Sequence, residues 1–243
     1  MDLSQDLPGR ALPVRAWEAW RARGPRYAWH KVLRRVLNGK PGLKRRWLYD
    51  DPREYWTLRG GHDYFREQEG QPNRSLRAKW IAERISAYQP ESILEIGCGY
   101  GKVIEGLREL LPHAKIVGID FSPTQLGLAR DFLDGKRTNS TLVLGSGEHL
   151  PFADNSFDLV LTSAVILHNP PAAAERIRSE VMRVSRRLAA HNEETNISYN
   201  RYGYNTAEWY KARGIRLAES GPIPMDPDPR TSQFCVAELR NNG

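Results

Sequence analysis

The sequence predicts an α/β fold: a mostly parallel seven-stranded sheet with helices on both faces, preceded by an N-terminal helical extension. Three observations predict it. From Ser92 onward, short apolar runs alternate with segments at helical spacing, the pattern of βαβ units. One of those runs, Ser92 to Gly97, leads directly into a glycine-rich turn and a helix. Ahead of it the chain is basic and aromatic, and its periodicity is helical.

The length of 243 residues suits one large domain with a modest extension, with boundaries read as 1–74 and 75–243. In the extension, Ala28 to Leu37 places Trp29, Val32, Leu33, Val36 and Leu37 at helical spacing, with Lys31, Arg34 and Arg35 opposite. Asn38-Gly39 and Pro41-Gly42 end that helix. Trp47 to Gly70 is aromatic and turn-rich. Arg74 to Tyr88 predicts a helix whose apolar face is Leu76, Trp80, Ile81 and Ile85, stopped by Gln89-Pro90. The first strand is Ser92–Gly97, followed by a helix over Lys102–Leu111 and a second strand over Lys115–Asp120. Pro123–Leu133 is a helix with Ser122 as its N-cap. Thr141–Gly145 and Phe157–Val165 are the third and fourth strands, and Ala172–Arg187 is a helix. Leu188–His191 is a fifth strand, Thr206–Arg213 a short helix, and Ile215–Ser220 and Phe234–Leu239 two closing strands. The proline-rich stretch Gly221–Pro229 joins the last two.

Composition narrows the class. Hydrophobic residues at 40% and charged residues at 27% are ordinary for a globular protein. No apolar run is long enough to span a bilayer, and Met1 to Pro13 lacks the apolar core of a secretory signal. Cys98 and Cys235 make no disulfide framework, so a reducing cytoplasmic setting is expected, and no metal. The net charge of +7 is uneven. Residues 10–48 hold twelve Lys or Arg and one acid, a local +11, which leaves −4 for the remainder. Three readings fit this stretch: a solvated helical face, a membrane-surface contact that would make the protein peripheral to the membrane, or a nucleic-acid contact. The membrane reading draws on Trp17, Trp20 and Trp29 beside Arg and Lys.

The chemistry centres on ILEIGCGYGK, Ile93 to Lys102. Gly97, Gly99 and Gly101 clear the space a ligand needs to approach the backbone, and the following helix offers free N–H groups. The spacing is G-x-G-x-G. The dinucleotide pattern G-x-G-x-x-G/A would need a small residue where Lys102 stands, which counts against a nicotinamide-dependent oxidoreductase. Asp120 ends the next strand about 20 residues on, where a carboxylate can take ribose hydroxyls.

The four motifs E-x-G-C-G-x-G, GIDFSP, G-x-x-LPF (Gly147 to Phe152) and SFDLV occur in order, and residues 75–190 resemble the class I methyltransferases. They look most like the small-molecule branch that includes the ubiquinone and menaquinone biosynthesis enzymes. The resemblance implies a Rossmann-like fold and S-adenosyl-L-methionine as cofactor, with S-adenosyl-L-homocysteine as product. It also implies that Glu95, Gly97 and Gly99 flank the amino-acid end, with Cys98 in the same loop. Asp120 holds the ribose diol, Phe121 packs on the adenine, Gly147 and Glu148 lie beside it, and Ser163 lies near the methionine moiety. Ser146 stands where the family often has an Asp that accepts from the adenine amino group, and the usual Pro-Gly-Gly turn after the fifth helix is replaced by RRLAAHNEE.

The candidate base is His168 in ILHNPP, at the start of the family's substrate-facing loop, and His191 is a second group that reaches that side if Leu188–His191 is a strand. His30, His62, His113 and His149 are read as surface or packing residues. Asn169-Pro170-Pro171 lies about six residues too late to be the Asp/Asn-Pro-Pro-aromatic motif of amino-group methyltransferases, and is read as a loop-to-helix junction. Tyr55 to Glu67 is expected to lid the site, with Arg59 and Tyr64 near cofactor or substrate and Gly60-Gly61 as a hinge. The implied activity is methyl transfer to a small metabolite, sugar or lipid-linked precursor. The competing class is an RNA methyltransferase or a non-catalytic nucleic-acid binder.

Overall fold

Strand β1 (Ser92–Ile96) is apolar on both faces, with Ile93, Leu94 and Ile96 fully buried, as expected of a strand at the centre of a covered parallel sheet. The computed structural model describes residues 12–71, 73–135, 140–226 and 228–239. Within it, β1 pairs in parallel with β2 (Lys115–Asp120) on one side and β4 (Phe157–Ser163) on the other. β3 (Thr141–Leu144) extends the sheet beyond β2, and β5 (Ser185–Glu194) beyond β4, again in parallel. β7 (Ser232–Glu238) is antiparallel to β5 and to the edge strand β6 (Leu217–Gly221). The order β3-β2-β1-β4-β5-β7-β6 is the mostly parallel seven-stranded sheet that the sequence predicts.

Two apolar layers cover the sheet. One holds Ile81 and Ile85 of α5 (Arg74–Ser86), Ile104 and Leu107 of α6 (Lys102–Leu110) and Leu133 of α7 (Pro123–Gly135). The other holds Ile177 and Val181 of α8 (Pro171–Val184) and Tyr210 of α9 (Thr206–Lys211). The α5 face differs from the predicted one. Leu76 is 56% exposed, and the buried positions are Ala78, Ile81, Ala82 and Ile85. Small residues set that choice: a Cβ on Gly106 of α6 would lie 3.1 Å from the Ala82 Cβ, so the two helices meet along their smallest side chains.

The N-terminal extension is four helices: α1 (Leu12–Val36), α2 (Pro41–Leu48), α3 (Pro52–Arg59) and α4 (His62–Glu69). α1 is broken at Gly24, whose φ of +84° favours glycine, with Pro25 following. The stretch read as turn-rich forms α3 and α4. Asp51 starts α3 by accepting from the backbone N–H of Arg53 (2.8 Å) and Glu54 (3.2 Å), and Pro52 fits the first position. The predicted apolar face of α1 is split: Leu33 packs against Leu48, Tyr49 and Tyr55, and Val32 is half-buried. Trp29 and Val36 are exposed, whereas Tyr27, Ala28, His30 and Leu37 are buried. Leu58 of α3 packs against Ala19, Tyr27 and Ala28, where two alanines allow a close approach that a tryptophan would block. Arg10, the first cation of the basic stretch, lies outside the described residues, as does the side chain of His62.

A further difference follows α8. The helix ends at Val184 and the chain enters β5 at Ser185 without a loop, so Arg186 and Arg187 belong to the strand. Ser185 makes the junction by donating its hydroxyl to the Leu188 carbonyl at 2.6 Å.

Candidate active site

The sheet order reverses at β1 and β4, and an open cavity lies at the carboxyl ends of β1, β2 and β4, the place where open α/β sheets bind ligands. The glycine turn forms its floor. Gly97 (φ +67°) leaves no room for a side chain, because a Cβ there would sit 2.5 Å from Val165 Cγ2. At Gly99 (φ +56°) the nearest atom to such a Cβ is Gln125 Nε2 at 3.6 Å, so this glycine is the one that leaves space for a bound molecule. Gly101 faces Leu133 at 3.0 Å and does not line the cavity; its size serves helix packing, which corrects the reading of all three glycines as ligand-facing.

Glu95, Gly97, Cys98, Gly99, Asp120, Phe121, Ser146, Gly147, Glu148 and Ser163 all line this one cavity. Asp120 closes the turn. One carboxylate oxygen accepts from the Gly99 N–H (3.0 Å) and the other from the Ser122 N–H (2.8 Å), while burial pushes its pKa up against those bonds. Phe121 carries the Arg53 guanidinium 5.7 Å from its ring centre. Ser146 spends its hydroxyl locally, accepting from the Glu148 N–H at 3.3 Å, and Glu148 is held by Arg176 at 2.6 Å. Burial pushes the Cys98 thiol well up, so it is no nucleophile.

Two buried polar atoms without partners mark the end of the cavity near β1. Glu95 is buried and its Oε2 has no partner; burial pushes its carboxyl up to about 8, opposed by the charge of Arg74. Arg74, the first residue of α5, lines the same cavity, and among the described side chains it forms no ion pair and its Nε is buried without a partner. A carboxyl oxygen and a guanidinium nitrogen, both buried on one wall without a hydrogen-bond partner, leave bonding capacity for the ammonium and carboxylate of an amino acid. Nothing in the sequence marked Arg74: it begins a helix ahead of every motif.

A second, larger cavity adjoins the first, and Trp56, Tyr64, Arg74, Ala164 and His168 line both. Arg59 lines the second alone; it is buried, ion-paired with Glu67, and 4.8 Å from the Tyr64 ring centre. Tyr64 is thus on the shared wall and Arg59 in the outer chamber. Gly60-Gly61 is fastened rather than free: Arg23 donates to the Gly60 carbonyl at 2.5 Å, and the Gly61 N–H donates to Gln125 Oε1 at 3.2 Å.

His168 ends a short 3₁₀ turn (Ile166–His168) after β4. Its Nδ1 is 2.5 Å from the Asn200 carbonyl, which can only accept, so Nδ1 carries the proton and Nε2 the lone pair. Burial lowers its pKa to about 4, so the ring is neutral near pH 7. Trp56 packs edge-on against it at 4.6 Å, and Tyr49 donates its hydroxyl to the His168 carbonyl at 2.6 Å. Asn169-Pro170-Pro171 is the loop-to-helix junction, α8 beginning at Pro171.

His191 is corrected. It lies on β5 but is fully buried and lines neither cavity, because its strand pairs with β4 on one side and β7 on the other. It belongs to a buried chain of hydrogen bonds. Thr162 donates to Glu193 Oε1 (2.8 Å), so Thr162 accepts from His191 Nδ1 (2.8 Å), and Nε2 accepts from the Tyr210 hydroxyl (2.9 Å). Burial lowers the His191 pKa to about 3. Glu193 also accepts from the backbone N–H groups of Val165, Ile166 and Leu167 at 3.1–3.2 Å, and so clamps the turn that carries His168. An acid inside the apolar run of β5 was the available signal for this anchor. Ala164, at the start of the clamped turn, holds a left-handed φ of +55°, a strained conformation for a residue with a side chain. Among the described residues, no group of three or more His, Cys, Asp or Glu is placed to hold a metal, and no helix is long and apolar enough to cross a membrane.

Comparison with known proteins agrees with this geometry. Residues 93–187 match the family model described as a methyltransferase domain. A demethylmenaquinone methyltransferase of Deinococcus radiodurans is 35% identical over 88 residues, covering 36% of this chain and 36% of that protein. A malonyl-[acyl-carrier protein] O-methyltransferase of Legionella pneumophila is 42% identical over 77 residues, covering 32% and 27%. The chain thus spans about a third of the length of the curated relatives it matches. Over the whole fold, the crystal structure of magnesium protoporphyrin IX methyltransferase from Synechocystis with bound cofactor aligns with a TM-score of 0.59 at 17% identity, covering 86% of this chain and 96% of that one.

Proposed function

We propose, from the premise that residues 93–187 form the domain of a class I S-adenosylmethionine-dependent methyltransferase, that this chain methylates a polar small molecule held in the outer chamber. The carrying observation is the pair of buried atoms without hydrogen-bond partners, Glu95 Oε2 and Arg74 Nε, beside the glycine turn and Asp120 in one cavity. In this reading Glu95 takes the ammonium and Arg74 the carboxylate of the cofactor's amino-acid end. Asp120 takes the ribose hydroxyls, and Phe121, Ser146, Gly147 and Glu148 surround the adenine. When bound, S-adenosyl-L-methionine supplies a methyl group already activated on sulfonium.

The protein's own part is position and proton acceptance. Residues 75–243 serve as the catalytic domain and 1–74 as its lid. Tyr64, Trp56 and His168 stand where the two cavities meet, so an acceptor reaching the first cavity passes between them. His168 Nε2 is the atom that takes the acceptor's proton; burial weakens it as a base, and the Nδ1–H bond to the Asn200 carbonyl works against that weakening. Such a base serves a hydroxyl acceptor. The outer chamber carries Arg34, Arg77 and Arg201 balanced by Glu194, Asp226 and Asp228, with Tyr55 and Tyr199. A charged, hydrogen-bonding wall with aromatic faces suits a sugar or polyol, or the polar head of a lipid-linked precursor, and is a poor host for a bare hydrocarbon chain. The small-molecule reading is further supported by the relatives named for demethylmenaquinone and malonyl-[acyl-carrier protein].

Calorimetric titration with S-adenosyl-L-methionine and S-adenosyl-L-homocysteine is the test. Binding in the roughly micromolar range is expected, weakened on the order of tenfold or more in Asp120→Ala. No binding, or equal binding by the variant, would overturn the reading.

A further inference from the structure

The apolar side chains that this fold leaves in water are concentrated in its basic segment. Trp17 and Trp20 are each 52% exposed, and Trp29 and Trp47 each 62%, accompanied by exposed Val14, Val36 and Leu43. All of them fall within residues 12–48, which hold eleven Lys or Arg and one acid, a net +10. The remaining tryptophans, Trp56, Trp80 and Trp209, pack against other parts of the fold.

Their spacing makes outward stripes rather than scattered points. Val14, Trp17 and Arg21 recur at intervals of three and four residues on the first limb of α1, with Arg21 4.9 Å from the Trp17 ring centre. Trp29 and Val36, two turns apart, share a line on the second limb, opposite the buried Tyr27 and Ala28. On α2, Leu43 and Trp47 are one turn apart, and Arg46 lies 5.9 Å from the Trp47 ring centre. Each helical segment therefore sets an aromatic-aliphatic stripe beside guanidinium groups.

We propose that α1 and α2 dock this protein on an anionic lipid bilayer, with Trp17, Trp20, Trp29 and Trp47 entering the headgroup region. The composition selects this partner. Tryptophan sits favourably at the boundary between headgroups and acyl chains, and Lys and Arg are drawn to anionic headgroups. Nucleic acid would use the cations and could stack on the indoles, but it has no use for Val14, Val36 and Leu43 on the same faces. A second copy would bring another +10 against this one. The inner side of α1 supplies Arg34 to the outer chamber, so docking sets that chamber about one helix diameter, roughly 10 Å, from the membrane. A polar headgroup is then within reach as acceptor.

The docking does not depend on the methyltransferase reading, and its test separates the two. The full chain is sedimented with phosphatidylcholine vesicles, with and without phosphatidylglycerol, alongside the variant Trp17→Ser/Trp20→Ser/Trp29→Ser/Trp47→Ser. Partition onto the anionic vesicles is expected, reduced by salt and reduced on the order of tenfold or more in the variant. The exposed positions leave folding unaffected, which titration with S-adenosyl-L-homocysteine checks: equal affinity in both proteins is expected whether or not vesicles bind. Failure to sediment with anionic vesicles, or equal partition of the variant, overturns the proposal. So does vesicle-independent binding of single-stranded RNA, or a dimer in light scattering that the substitutions dissociate.

Discussion

Glu95 gives the sharpest test of the amino-acid end, because its role in binding and its effect on stability have opposite signs. Its folded-state pKa is raised from 4.5 to about 8 by burial. A carboxyl raised in this way contributes most below pH 4.5, and that contribution is lost as pH rises through 8. Between pH 5 and 8.5 the loss is about 4 kcal/mol. Glu95→Gln removes the titration. The variant is therefore expected to gain about 4 kcal/mol relative to the parent over that interval, read by urea unfolding followed by circular dichroism. An ammonium placed against Glu95 reverses the shift and drives the proton off. At pH 7 a group of pKa 8 is about nine-tenths protonated, so ligand binding to the parent releases up to about 0.9 proton more than binding to Glu95→Gln. Calorimetry of S-adenosyl-L-homocysteine in buffers of differing ionisation enthalpy measures that difference directly. Equal proton release in the two proteins, with both binding, would refute the assignment of Glu95 to the ammonium and leave the rest of the cavity standing.

Gly97→Ala is expected to cost about 2–5 kcal/mol, from left-handed strain and from overlap with Val165 Cγ2; Val165→Ala should return the overlap part, and a strictly additive double variant in urea unfolding would contradict the contact. His168→Gln removes a histidine whose pKa is lowered from 6.5 to about 4, a group whose stability contribution is full above pH 6.5 and lost toward pH 4. The gap between variant and parent should accordingly narrow by about 2 kcal/mol between pH 7.5 and 5, and a constant gap would mean that the imidazole is not held neutral. Glu193→Gln should destabilise by at least about 2 kcal/mol and speed amide exchange at Val165, Ile166 and Leu167, since an amide cannot accept on both sides; unchanged exchange there would remove Glu193 as the anchor.

Much of the site was legible because its chemistry is local in sequence. The turn after Ile96, the acid ending β2 and the segments after β3 and β4 each announce themselves within a few residues, and parallel pairing brings their carboxyl ends together. From Arg74 onward, strand and helix positions followed from periodicity to within a few residues, except where α8 enters β5 directly; α3 and α4 were missed because each is only eight residues long and glycines flank α4. What escaped depends on contacts between distant segments. Arg74 matters because the fold brings it to the same cavity as the glycine turn, and a single arginine at a helix start carries no mark of that. His191 was misplaced because residues on one strand alternate sides, and its pairing partners were not knowable from the run itself. The face of α1 was placed only in part, Leu33 and Leu37 packing inward while Trp29 and Val36 point out, because periodicity does not say where a helix face ends; Ala19 and Ala28 shifted the buried face by admitting Leu58.

The bonds from Glu193 to residues 165–167 close a ring of chain that runs through the 3₁₀ turn, α8 and β5 and returns to its own start, Val165 and Glu193 standing 28 positions apart. With no loop between α8 and β5, the ring has no slack joint at that corner. His168 rides on a frame held on both sides. In the proposed reaction, changes in acceptor preference would therefore belong to the residues facing this frame from α3 and α4, which can be exchanged while the frame keeps its shape.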